Sequence, residues 1–142
     1  MEKINFENFK SPGISKEILM QLQDNIEEAI DGTVIYTNEA GESEDILLDY
    51  NLENYKKIEV FYKVGENFKH EKADVKLNSF INLSLYDYLD GTLWLHTKTI
   101  KMTNTMLTVE RFKEFSLKDS EHFQPYGTST NSVKIVKVVG YK

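Results

Sequence analysis

The hydrophobic period of this chain changes once, at Gly32. In "ISKEILMQLQDNIEEAI", residues 14–30, apolar side chains recur every three or four positions; from Thr33 onward they alternate. A chain built this way can fold as one helix followed by antiparallel strands. It cannot form a parallel α/β sheet, which would need a crossover helix after each strand. Pro12-Gly13 breaks the chain ahead of the helix, Ser15 is a good N-cap, and Gly32 stands where a left-handed residue would close it.

On a helical projection Ile18, Leu19, Leu22, Ile26, Ala29 and Ile30 fall within an arc of about 120°. Lys16, Glu17, Asp24, Glu27 and Glu28 occupy the opposite face. Leu19, Leu22, Ile26 and Ala29 also follow the 3-4-3 spacing of a short coiled-coil seam. A helix of ~16 residues is marginal alone, so something must cover the stripe. Each large aliphatic side chain buried there contributes roughly 1.5–3 kcal/mol at most. The protein's own sheet or symmetry-related copies of the helix would both supply that cover, and the width of the stripe suits the two neighbours of a trimer. The division expected is an arm and assembly helix over 1–32 and a β head over 33–142.

In the head, "TVIY" reads as a strand followed by a turn at "NEAG", and "EDILLDYN" as a short second strand. "YKKIEVFYKV" alternates Ile58, Val60 and Tyr62 against Glu59, Phe61 and Lys63. "FINLSLYDYL" and "TLWLHTKTIKM" flank the dipeptide Asp90-Gly91, a hairpin signal. "TMLTVERFKEFSL" follows across Asn104, "EHFQPYGTSTNS" reads as a loop, and "VKIVKVVGYK" alternates to the last residue. About eight strands joined by short turns predict a mainly β fold, an antiparallel sandwich of jelly-roll-like type. Aromatic residues make up 12% of the 142, enough to fill such a core rather than leave a disordered chain.

The formal net charge of −6 argues against duplex DNA and anionic membrane as partners. There is no cysteine, so disulfides and thiolate metal sites are excluded. "MEKINFENFKSPG" has no apolar signal-peptide core, and no run approaches a transmembrane span. His70, His96 and His122 share no ligand spacing, and the nucleophile-elbow, zinc-protease, phosphate-loop and dinucleotide motifs are all missing. Asp87 and Asp90 are three apart, a spacing that a turn explains better than a catalytic or metal pair. The acidic run 37–55 suits a solvated edge more than a calcium loop. A non-enzymatic protein without metal or cofactor is expected. The residues most suited to touching a ligand are Tyr86, Tyr88, Trp94, Phe123 and Tyr126, aromatic side chains beside turns or loops.

Three stretches carry a resemblance. "INFENF" with "ISKEILMQLQDNIEEAI", then "NYKKIEVFYK", then the terminal "VKIVKVVGYK" resemble small tail and fibre virion proteins of bacteriophages infecting Gram-positive bacteria. In that family a motif of the type "INFxN…LNxLQxNIexAI" precedes a β-rich head ending in "GYK". The matches run from Ile4 to Ile30, Asn54 to Lys63 and Val133 to Lys142. The resemblance implies a structural or adhesive virion protein, commonly a homotrimer, whose partners are other virion proteins and a host cell-wall glycan. It would be made in the host cytoplasm without a signal peptide. The middle of this chain is more charged and more aromatic than such heads usually are, and no binding residue carries over. A monomeric carbohydrate-binding or protein-interaction module is the alternative that the residues alone also suit.

Overall fold

The computed structural model describes residues 17–21, 32–117, 124–125 and 130–142. It is mainly β, with antiparallel sheets. The strands are β1 (Thr33–Glu42), β2 (Ile46–Leu47), β3 (Lys57–Val64), β4 (Asn67–Asp74), β5 (Phe80–Leu89), β6 (Thr92–Met102), β7 (Met106–Leu117), β8 (Gln124–Pro125) and β9 (Lys134–Tyr141). One sheet runs β1-β9-β3-β4; the other runs β2-β7-β6-β5, with β8 also paired to β7.

A short helix covers residues 17–21. There Ile18 is exposed and Leu19 half-buried. Leu22, Ile26, Ala29 and Ile30, the rest of the expected assembly stripe, lie outside the described residues, as does the expected N-cap Ser15. Gly32 has φ +78°, the left-handed conformation suited to the residue after a helix. A Cβ there would run into the Val139 side chain, so the position requires glycine twice over.

Alternation places the core. In β3, Ile58, Val60, Tyr62 and Val64 are buried while Glu59, Phe61 and Lys63 are half-buried. Ile81, Leu83 and Leu85 of β5, Ile100 and Met102 of β6, and Ile135 and Val138 of β9 are buried too. All of these join one hydrophobic cluster drawn from both sheets. Two polar side chains tie the sheets within it. The Tyr62 hydroxyl donates to the Ser84 carbonyl at 3.0 Å and accepts from the Ser84 N–H at 3.3 Å. Lys98 of β6, 1% exposed, donates from Nζ to the carbonyls of Ser43 at 2.6 Å and Val133 at 2.5 Å.

One expectation is corrected, and one strand appears where no element is expected from the sequence. "NEAG" does not end β1: the strand continues to Glu42, with the extra residues between Thr37 and Glu42 taken up as a bulge and Gly41 at φ +83°. Turn-forming residues inside a strand are accommodated at such a bulge. The stretch "NFKHEKAD", which does not alternate in hydrophobicity, forms β4 by hairpin pairing with β3 across Gly65. It stands at a sheet edge, where pairing alone holds a strand and charge discourages association. The Asp90-Gly91 hairpin forms as expected, both residues at positive φ (51° and 77°), as a type I′ turn demands.

Candidate functional site: the outward face of the second sheet

The strand register of β5, β6 and β7 decides which side chains share a face. Because directly opposed residues in antiparallel strands point the same way, the outward face can be written as rows. These are Asn82–Thr99–Arg111, Ser84–Thr97–Lys113, Tyr86–Leu95–Phe115 and Tyr88–Leu93–Leu117, with Phe80–Lys101–Thr108 at the far end. Tyr86 and Tyr88 are exposed on this face, as is Phe80; Leu93, Leu95, Phe115 and Leu117 are half-buried.

Two shallow depressions run across the rows. One, about 400 Å³, is lined by Phe80, Asn82, Thr99, Glu110 and Arg111. The next, about 330 Å³, includes Ser84, Thr97, Lys113 and Phe115. Their floor is polar and partly self-bonded. Thr99 Oγ1 donates to Asn82 Oδ1 at 2.8 Å, and Thr97 Oγ1 donates to the Lys113 carbonyl at 3.1 Å. The arrangement is a hydroxyl- and amide-bearing shelf with aromatic rings at both ends and cations along one side. Among the described residues that line it there is no nucleophile–base pair.

Trp94 belongs elsewhere. It is in register with Asp87, so it shares the opposite face with Leu89, His96 and Lys98. There it lines a separate depression of about 270 Å³ with Asp87, Leu89, His96, Glu114 and Thr130. His96 and Glu114 are buried, His96 Nδ1 standing 3.1 Å from Glu114 Oε1, and the imidazole stacks at 6.5 Å from Trp94. Burial alone would raise the Glu114 carboxyl. Hydrogen bonds from Ser132, Thr130 and His96 instead hold it below its usual value. An ionised Glu114 makes His96 Nδ1 the donor; Nε2 of the same ring is buried with no hydrogen-bond partner.

The aromatic candidates therefore divide. Tyr86 and Tyr88 share the outward face, Trp94 lies on the other, and Phe123 and Tyr126 are outside the described residues. Asp90 is a turn residue, whereas Asp87 is a strand residue accepting from Asn67 Nδ2 at 2.9 Å. Among the described residues no group of three or more His, Asp or Glu is placed to hold a metal ion, and no helix is long and apolar enough to cross a membrane.

The shelf residues Asn82, Thr97, Thr99, Arg111 and Lys113 are not marked by any sequence motif. Alternation would have found those of β5 and β6. In β7 a register shift opposite Thr99–Ile100 inserts Glu110 as an extra residue. Counting in twos from buried Leu107 along an unbroken strand would send Arg111, Lys113 and Phe115 inward; the bulge turns them out and turns Glu114 in.

The outward face of the first sheet is different in kind. His70 stacks on Phe61 at 5.3 Å and pairs with Glu59 at 2.7 Å, and the Tyr141 hydroxyl donates to Glu59 at 2.7 Å. Lys137 lies over Phe61, Lys72 over Tyr141 and Lys63 over Phe68, at 4.7, 4.1 and 5.8 Å from the ring centres. Its cations and rings satisfy one another.

Comparison of the chain with protein-family models, with curated proteins and with solved structures finds no match.

Proposed function

We propose that this chain is a non-enzymatic virion protein of a bacteriophage infecting a Gram-positive host, a trimeric fibre or tail-tip component. Its helix joins the copies, and its two sheets pack as a sandwich of jelly-roll-like type to form a head that meets a host-surface receptor or a neighbouring virion protein. The observation that carries this reading is the meeting of two of the three resemblance motifs. "NYKKIEVFYK" and "VKIVKVVGYK" supply β3 and β9, neighbouring strands paired from Lys57–Tyr141 to Lys63–Lys134. Their conspicuous residues touch: Tyr55 covers Gly140, and Tyr141 bonds Glu59. The motifs are thus the seam of one sheet, as expected of residues that define a shared scaffold rather than a reaction. The single hydrophobic cluster common to both sheets supports the sandwich.

The test is the solution mass of the purified chain together with its adsorption to Gram-positive cell walls. A concentration-independent mass near three times the 16.5 kDa of one chain supports the reading, as does saturable adsorption. A monomer at every concentration that adsorbs to nothing overturns it.

The exposed aromatic and polar face favours a second reading, a monomeric carbohydrate-binding module whose helix covers its own sheet. In that case the mass is that of one chain, and charges placed at Leu22 and Ile26 unfold the domain instead of separating copies.

A further inference from the structure

We propose that the outward face of the second sheet binds an acidic carbohydrate, a short chain of uronic-acid residues, across the Asn82–Thr99–Arg111 and Ser84–Thr97–Lys113 rows. The inference rests on the reading of the head as a contact surface and adds the chemical class of what it contacts. Three features point to it, the first and the third drawn from the same set of charges.

The first is charge. The chain as a whole carries −6, yet among the described residues this face presents Lys101, Arg111 and Lys113 against one carboxylate, Glu110. No ion pair joins Arg111, Lys113 or Lys101 to a carboxylate among the described residues. On the other sheet Lys57 pairs with Asp74 at 3.7 Å, and Lys63, Lys72 and Lys137 sit on aromatic rings. Cations left uncommitted in an acidic protein form an attractive patch for an anion. Arg111 can grip a carboxylate with two parallel N–H donors, and Lys113, one repeat along the same strand, adds a second positive charge ~7 Å away.

The second is the spacing of rings about the polar floor. Phe80 and Tyr86 lie six residues apart on β5, a span of ~20 Å, with Asn82 and Ser84 between them. A pyranose ring offers an apolar face of C–H bonds that packs on the negatively charged face of an aromatic ring. Rings at both ends with hydroxyls and an amide between suit an extended oligosaccharide better than a single sugar. Because Thr99 donates to Asn82 Oδ1, the Asn82 amide N–H groups are left to donate outward.

The third is the balance of charge. Among the described residues, Arg111 and Lys113 set against Glu110 leave about one net positive charge in the two depressions, with Lys101 beyond them. That balance suits a singly charged carboxylate on each sugar better than a doubly charged phosphate monoester.

Titration calorimetry of the full chain with a galacturonic-acid oligomer, and with a neutral galactose oligomer of equal length, tests this. Expected are saturable binding of the acidic oligomer that weakens with salt, and neutral binding at least about tenfold weaker. R111Q/K113Q should lose about tenfold for the acidic oligomer and leave the neutral one unchanged, and Tyr86→Ala should weaken both. All three side chains are exposed, so far-ultraviolet circular dichroism should be that of the unaltered chain. Equal binding of the two oligomers, or wild-type affinity in R111Q/K113Q, overturns the proposal. So does binding of a phosphodiester-linked glycan without binding of the uronate. If the uronate fails while wall adsorption persists, only this inference falls; if wall adsorption is also missing, the receptor-binding part of the broader reading falls with it.

Discussion

The ring of Tyr55 stands where a side chain at position 140 would have to go: an ideal Cβ on Gly140 would lie 2.6 Å from Tyr55 Cδ1 and 2.7 Å from Cγ. Gly140 is in the central strand β9, held on one side by β1 and on the other by β3. Neither flank can move to make room, and a ring cannot give way as a flexible chain end can. Gly140→Ala should therefore destabilise the fold by roughly 1–3 kcal/mol through overpacking. Tyr55→Ala in the same chain should recover part of that loss. A double-mutant cycle by urea denaturation reads the coupling, and additive effects would refute it.

Glu114 makes an acid-sensitive joint. Its folded-state pKa is lowered, so its ionised form stabilises the fold above its unfolded pKa, and that stabilisation is lost as pH falls through the folded value. Thermal melts from pH 7 downward should show this loss, and Glu114→Gln should flatten it. At pH 7 the same variant should cost roughly 1–3 kcal/mol, because the His96, Thr130 and Ser132 donors lose an ionised acceptor.

Two buried groups set the alkaline behaviour in opposite senses. Burial lowers Lys98 from 10.5 to about 8, against the pull of Glu44 and Glu42. Between those values the unfolded chain holds more protons, so stability rises with pH. Burial raises Tyr62 from 10.0 to about 12, with Glu71 adding to the shift and the Ser84 bond opposing it. There the unfolded chain loses its proton first, so stability falls. Stability followed by denaturant titration should pass through a maximum near pH 10. Lys98→Met should remove the rising limb and Tyr62→Phe the falling one; a profile unchanged by either would contradict the assignment.

On the trimeric reading proposed above, substitution of Leu22 and Ile26 by Asp reduces the solution mass from three chains to one while the far-ultraviolet signal of the strands persists. Light scattering and circular dichroism on the same sample decide it. Loss of the strand signal would instead place that stripe against the protein's own sheet.

The strands whose two faces meet different surroundings were legible in the residues. β3 shows it: Ile58, Val60, Tyr62 and Val64 are buried, and their neighbours are not. The Asp90-Gly91 turn was legible for a different reason, because few residue pairs tolerate positive φ twice in succession. β4 was not, since an edge strand with polar residues on both faces owes its existence to β3 and carries no periodic signal of its own. The outward shelf was half legible. Tyr86 and Tyr88 announce it, but Arg111 and Lys113 reach it only through an irregularity in pairing that no local pattern encodes. Trp94 misleads for a related reason: its distance from Tyr86 along the hairpin looks short, yet pleating sends the two rings to opposite faces.

The extra residue at Glu110 makes β7 two strands in one. Ahead of it the chain feeds the core through Leu107 and Val109; beyond it the outward positions pass to Arg111, Lys113 and Phe115. Deleting that single residue would leave an unbroken alternation, with Val109 still inward, Arg111 and Lys113 still outward and Glu114 still buried. Deleting one residue beyond it, within 111–117, would instead send every later side chain to the opposite face. The length beyond the bulge is therefore locked, while the letters at 111, 113 and 115 are open to change without disturbing the core. A surface built so can be rewritten for a new ligand by substitution alone, and a lineage exploring new ligands would vary these positions while never gaining or losing a residue between Arg111 and Leu117.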